Sequence, residues 1–127
     1  VLQAGNHGST YGGTALGSRV VYTVIDTIQK ENIVENAGKI GQYIVDQLRS
    51  QLSELNVTVR GFGMMIGIEL PKACGELVNI AREQKQLILN VTAGHVVRLL
   101  PALNMTQEQA DDLIQRLIPL IQDFLKN

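Results

Sequence analysis

Tryptophan is absent from this 127-residue chain, aromatic residues make up 4% of it, and only one cysteine, Cys74, is present. With so few rings the core has to be built from Val, Ile, Leu and Ala. A lone cysteine cannot form an internal disulfide, and it lies among apolar positions without a neighbouring histidine or basic cluster, so it reads as a plain buried thiol in a reducing compartment. Charge of one sign is also missing: eleven basic residues face twelve acidic ones. That balance supplies no electrostatic footprint for nucleic acid or an anionic membrane surface. No apolar run is long enough to span a bilayer and no secretory signal is visible, which leads to the expectation of a soluble, cytoplasmic protein. The two histidines, His7 and His95, have no second ligand type at metal-binding spacing, so no metal site is expected.

The first lysine is Lys30, and this has a consequence for the glycine-rich stretch AGNHGSTYGG at residues 4 to 13. A nucleotide-binding P-loop requires G-x-x-x-x-G-K-[ST], and a dinucleotide fingerprint requires G-x-G-x-x-G; glycines at 5, 8, 12 and 13 satisfy neither. What remains is a loop in which Gly8 lets the backbone approach a ligand while Ser9 and Thr10 offer hydroxyl and N–H donors ahead of a helix. On residue types alone, the blander reading is favoured: an irregular connection whose hydroxyls cap the next helix.

Periodicity places the remaining elements. Leu16, Val20, Val21, Val24, Ile25 and Ile28 mark a helix over 14 to 30. Ile33, Ala37, Ile40, Ile44, Leu48, Leu52 and Leu55 mark a longer one. VTVRGFG and MMIGIEL are two strands joined by a tight turn or bulge near Gly61 to Gly63, and a short helix ends near Gln86. LILNV and VVRLL form a second strand pair around Thr92, Ala93 and Gly94. Thr106 and Gln109 have capping-box spacing before a final helix, in which Pro119 should cause a kink or loosening. The order predicts an α+β fold, a small mostly antiparallel sheet with helices on one face.

Three segments in this order carry a resemblance. GNHGSTYGGTALGSRV is similar to the G-x-H-G-S/T-T-Y/F-G-G-N-P-L-A segment of the class III, ornithine-type aminotransferases that use pyridoxal 5′-phosphate. VRGFGMMIGIEL is similar to that family's V-R-G-x-G-L-M-x-G-I-E-L, and VVRLLPALNMT to its I-R-L/F-x-P-P-L-x-I-T. The motifs reach from residue 4 to about residue 106, and the acetylornithine type is the nearest match, with the ornithine and succinylornithine types close behind. The resemblance implies the C-terminal small domain of a fold-type I transferase: residues 1–13 a cofactor-phosphate loop belonging to the large domain and dimer interface, residues 14–127 a linking helix and the small domain.

It also implies roles. Thr10 contacts the cofactor phosphate, and Ser9 contacts phosphate or substrate. Arg98 receives a carboxylate from the substrate or from a gating glutamate; without the resemblance, a structural ion pair would be the reading for an arginine among VVRLL. His7 and Tyr11 occupy motif positions with a positioning or packing role, Arg60 and Glu69 are structural, and Gly61, Gly63 and Gly67 serve the bends and close packing of the hairpin. His95 is a solvated loop residue. Thr14 and Ala15 replace the family's Asn-Pro, which should alter how the helix starts.

The parent enzyme would be a cytoplasmic homodimer that moves an amino group from N-acetylornithine to 2-oxoglutarate in arginine biosynthesis. No catalytic residue is assigned, because the Schiff-base lysine belongs to a large domain that this chain does not contain. Lys30, Lys39, Lys72, Lys85 and Lys126 read as solvated charges, so the chain alone is expected to be inactive. Two other classes compete: a noncatalytic small-molecule-sensing or dimerisation α+β domain, and an RNA-binding sheet. The second is disfavoured by strands whose only aromatic is Phe62.

Overall fold

A computed structural model describes residues 3, 8–10 and 12–126. The chain divides into two compact units, one ending at Val34 and one beginning at Glu35.

In the first unit the glycine-rich stretch leads into helix α1 (Ala15–Lys30). Thr14 is its N-cap in extended conformation, and its Oγ1 accepts a hydrogen bond from the Gly17 N–H at 3.1 Å. The Thr-Ala replacement of Asn-Pro therefore starts the helix with an ordinary hydroxyl cap. No residue of α1 is buried.

The second unit is a four-stranded antiparallel sheet with helices on one face. Helix α2 (Ile33–Gln51) is followed by β1 (Thr58–Phe62), β2 (Met65–Glu69), α3 (Leu77–Lys85), β3 (Asn90–Thr92), β4 (Val96–Leu99) and α4 (Gln107–Lys126). The strand order is β1-β2-β4-β3, and every neighbouring pair is antiparallel. Strand alternation sends Val59, Ile66, Ile68, Val97 and Leu99 to the inner face. There they join Ile44 and Leu48 of α2, Leu77 of α3, and Leu117 and Ile121 of α4 in one buried cluster. Each fully buried aliphatic side chain contributes about 1.5 to 3 kcal/mol relative to exposure.

Two glycines of the β1–β2 hairpin have the expected structural purpose. Gly63 has φ +54°, and a Cβ on Gly61 would lie 2.7 Å from Val45 Cγ2 on α2. Gly67 does not share it: a Cβ there would make only ordinary contacts, 3.5 Å from Val96 Cγ1 and 3.8 Å from Arg60 Cγ, so close packing does not account for this glycine. The capping box forms reciprocally, Thr106 N–H donating to Gln109 Oε1 at 2.9 Å and Gln109 N–H to Thr106 Oγ1 at 3.3 Å.

Helix α4 continues through Pro119 to Lys126. Pro119 and Gln115, the residue whose carbonyl loses its N–H partner, are both on exposed positions, so solvent can satisfy the orphaned carbonyl. Cys74 is fully buried just ahead of α3, and burial pushes its thiol pKa upward. Among the described residues, no helix is long and apolar enough to cross a membrane, and no cluster of three or more His, Cys, Asp or Glu residues could hold a metal ion.

Candidate functional site

The predicted site residues fall in different units. Ser9 and Thr10 are exposed residues of the first, and Arg98 belongs to β4 of the second. His7 and Tyr11 lie outside the described residues.

Glycine chemistry shapes the N-terminal loop. A Cβ on Gly12 would sit 2.9 Å from both Cβ and Oγ of Ser9, so the loop folds back on itself and the Ser9 side chain occupies the space that any other residue at 12 would need. Gly13 follows at φ +77°, a conformation that L side chains rarely adopt. Thr14 takes the capping role, so the Ser9 and Thr10 hydroxyls are not used to start α1. Neither has a hydrogen-bond partner among the described residues. No acidic residue occupies the first turn of α1, leaving the positive end of its dipole uncompensated. The Gly12–Ser9 fold sets the Ser9 hydroxyl near the start of α1, where hydroxyl and backbone donors suit an anionic group.

Arg98 lacks the ion pair that its strand context alone suggested, among the described residues. It alternates with the buried Val97 and Leu99 and is itself exposed, on the sheet face that the helices leave open. No carboxylate partners it among the described residues, so the structural ion pair that its sequence context suggested is not formed. Register places it opposite Gly67 of β2 on one side and Asn90 of β3 on the other, and Gly67 is in turn opposite Arg60 of β1. A row Arg60–Gly67–Arg98–Asn90 thus crosses the open face. At the β3–β4 edge of the sheet lies a depression lined by apolar residues including Leu89, Leu99 and Pro101, with Arg98 and Asn90 among its lining. Arg98 can donate a planar fork to a carboxylate without first breaking an internal pair.

Arg60, by contrast, is paired with Glu69 of the neighbouring row. Arg60 Nη1 donates to Glu69 Oε2, and His95 Nε2 lies 3.5 Å from Glu69 Oε1. The Arg60 hydrogen bond and charge, with a smaller contribution from His95, hold the Glu69 carboxyl below the usual carboxylate range. Arg60 and Glu69 are structural as expected. His95 is more than a solvated loop residue: its Nδ1 lies 2.7 Å from the Ala93 carbonyl, and its own carbonyl accepts from Leu70 N–H. Lys72 also differs from a freely solvated lysine, its Nζ standing 4.5 Å from the Phe124 ring centroid. Sequence reasoning did not associate Asn90 or Gly67 with Arg98, because only strand register brings them together.

A family model, aminotransferase class III, matches residues 1–121. The acetylornithine aminotransferase of Nitrosomonas europaea is 42% identical over 129 residues, covering 100% of this chain and 33% of its own length. That of Methanothermobacter thermautotrophicus is 37% identical, covering 97% and 32%. Among solved structures, the ornithine aminotransferase of Toxoplasma gondii superposes with a TM-score of 0.84 at 26% identity, over 98% of this chain and 31% of that one. The acetylornithine aminotransferase of Elizabethkingia anophelis gives 0.80 at 28%, over 96% and 33%. The chain therefore spans about a third of the length of the relatives it matches. With the family model matching from the glycine-rich loop into the last helix, the chain belongs to the class III aminotransferases.

Proposed function

We propose that this chain is the cofactor-phosphate loop and C-terminal small domain of an acetylornithine-type aminotransferase, a cytoplasmic homodimer that moves an amino group from N-acetylornithine to 2-oxoglutarate in arginine biosynthesis. The observation that carries the reading is 42% identity to acetylornithine enzymes along the whole chain, through both the Ser9–Thr10 loop and the Arg98 strand. In this reading residues 1–13 belong with the large domain and dimer interface, and 14–127 form the linking helix and small domain.

Pyridoxal phosphate, when bound, supplies the carbonyl group and electron sink of the chemistry. The work of this chain is positioning. Thr10 donates its hydroxyl to the phosphate, and Ser9 donates to phosphate or substrate. Arg98 binds a carboxylate of the incoming acid, and the bidentate geometry fixes that end of the molecule so that the other end is presented to the reacting centre.

Glutamate formation from 2-oxoglutarate, measured in the enzyme that carries this chain, tests the reading against its nearest rivals. N-acetylornithine is expected to exceed ornithine and succinylornithine in kcat/KM; a preference for either rival would move the protein to that type. The 127-residue chain alone is expected to show no transfer and no borohydride-fixed pyridoxyl group on any of its lysines. A noncatalytic sensing domain would instead bind a free amino acid without cofactor.

A further inference from the structure

Opposite Arg98 across the β3–β4 ladder, where an ion-pair partner would belong, the chain has Asn90. Residues paired in this way carry their Cβ atoms about 5 Å apart on one face of the sheet. Both side chains are exposed, and both line the depression at the β3–β4 edge. Neither the Asn90 amide nor the Arg98 guanidinium has a hydrogen-bond or charge partner among the described residues. The rest of the row is unavailable to Arg98, because Gly67 has no side chain and Arg60 is held by Glu69.

The residue type matters as much as the place. Asparagine is depleted from strands, so strand formation does not account for it. An aspartate at this position would form a cross-strand ion pair with Arg98 and occupy its fork. The amide instead adds N–H donors without adding charge. A carboxylate offers about four acceptor positions on its oxygens, of which a bidentate arginine takes about half. An amide N–H beside the fork therefore has an open acceptor to meet.

We infer that Asn90 is a ligand-contacting residue: its side-chain amide donates to the carboxylate that Arg98 receives and, being neutral, leaves the Arg98 fork free to receive it. This rests on the reading of Arg98 as a carboxylate receptor. Asn90 is exposed on the edge strand and lies outside the buried cluster, so its substitution acts on binding and leaves folding intact.

Calorimetric titration of the enzyme carrying this chain with glutarate, a nonreactive dicarboxylate, tests the inference, with melting temperature recorded for each variant. Asn90→Ala should weaken glutarate binding about tenfold, the loss of one hydrogen bond to a charged group. Asn90→Asp should weaken it further, by roughly a hundredfold, because the new carboxylate both pairs with Arg98 and repels the ligand. All variants should melt within about 2 °C of the parent, as exposed substitutions do. Asn90→Leu, similar in shape and without the donors, carries the test if the Ala variant does not fold. Unchanged affinity in the folded Ala or Leu variant, together with weakened affinity in Arg98→Ala, would overturn the role of Asn90 and leave the carboxylate reading of Arg98 standing. Unchanged affinity in Arg98→Ala would remove both.

Discussion

Arg98 puts a permanent charge at the centre of a sheet with no carboxylate to answer it among the described residues, and its exposed position means that the fold does not depend on it. In the enzyme that carries this chain, Arg98→Lys should therefore lower kcat/KM for the carboxylate-bearing substrate by roughly 10- to 100-fold, because the ammonium cannot reproduce the planar fork. Its unfolding free energy should stay within about 0.5 kcal/mol of the parent, as for other exposed substitutions. Equal losses of stability and activity would show a structural arginine instead. Glu69 makes a different prediction. Arg60 lowers its folded pKa, so its contribution to stability is fully present above the ordinary carboxylate value of 4.5 and is lost as pH falls through the depressed one. A Glu69→Gln variant should thus unfold less steeply with acid below that value, as measured by denaturation midpoints at stepped pH. Ala93 holds φ +52° at the β3–β4 turn, and Ala93→Gly should stabilise the protein by about 0.5 kcal/mol by releasing left-handed strain greater than the added chain entropy.

At the scale of elements, glycines on one helix separate two kinds of packing. A Cβ on Gly41 would lie 2.0 Å from the Gly63 carbonyl oxygen, where α2 meets the β1–β2 turn, while one on Gly38 would meet nothing within 4 Å. Gly41→Ala should cost about 3 kcal/mol, the upper part of the overpacking range, because backbone must move. Gly38→Ala should gain up to about 1 kcal/mol from helix propensity alone. Chemical denaturation of the pair checks both, and similar values would mean that α2 does not approach the hairpin this closely. The helices themselves were legible from apolar spacing, since α1, α2 and α4 each present one stripe, and the capping box at Thr106 and Gln109 formed as its spacing required. Three of the four strands were legible too, while LILNV suggested a strand over 87–91 with Thr92 in the turn and the structure pairs only Asn90–Thr92. What could not be read was register: a pairing of β2 with β4 between segments some thirty residues apart sets Gly67 beside Arg98, and no local pattern encodes it. The open face of the sheet was hidden for the same reason, so VVRLL alone suggested an ion-paired arginine where the structure has an exposed one with no carboxylate partner among the described residues.

The distribution of apolar surface over the whole molecule is uneven. The second unit buries its aliphatic residues in one cluster between sheet and helices. Helix α1 leaves Leu16, Val20, Val21, Val24 and Ile25 all at least half exposed, with Val20 and Val24 one turn apart on a single face. A stripe of that kind needs a cover, and in solution the available cover for an isolated chain is another copy or denatured-like aggregation. The 127-residue chain should accordingly show concentration-dependent sedimentation. Substituting Val20→Gln together with Val24→Gln should shift it toward monomer while leaving the unfolding free energy within about 0.5 kcal/mol, since neither side chain is in the core. If the double variant associates as the parent does, the adhesive surface lies elsewhere, and the next candidates are Phe62, 93% exposed at the hairpin tip, and Met65 directly opposite it in register.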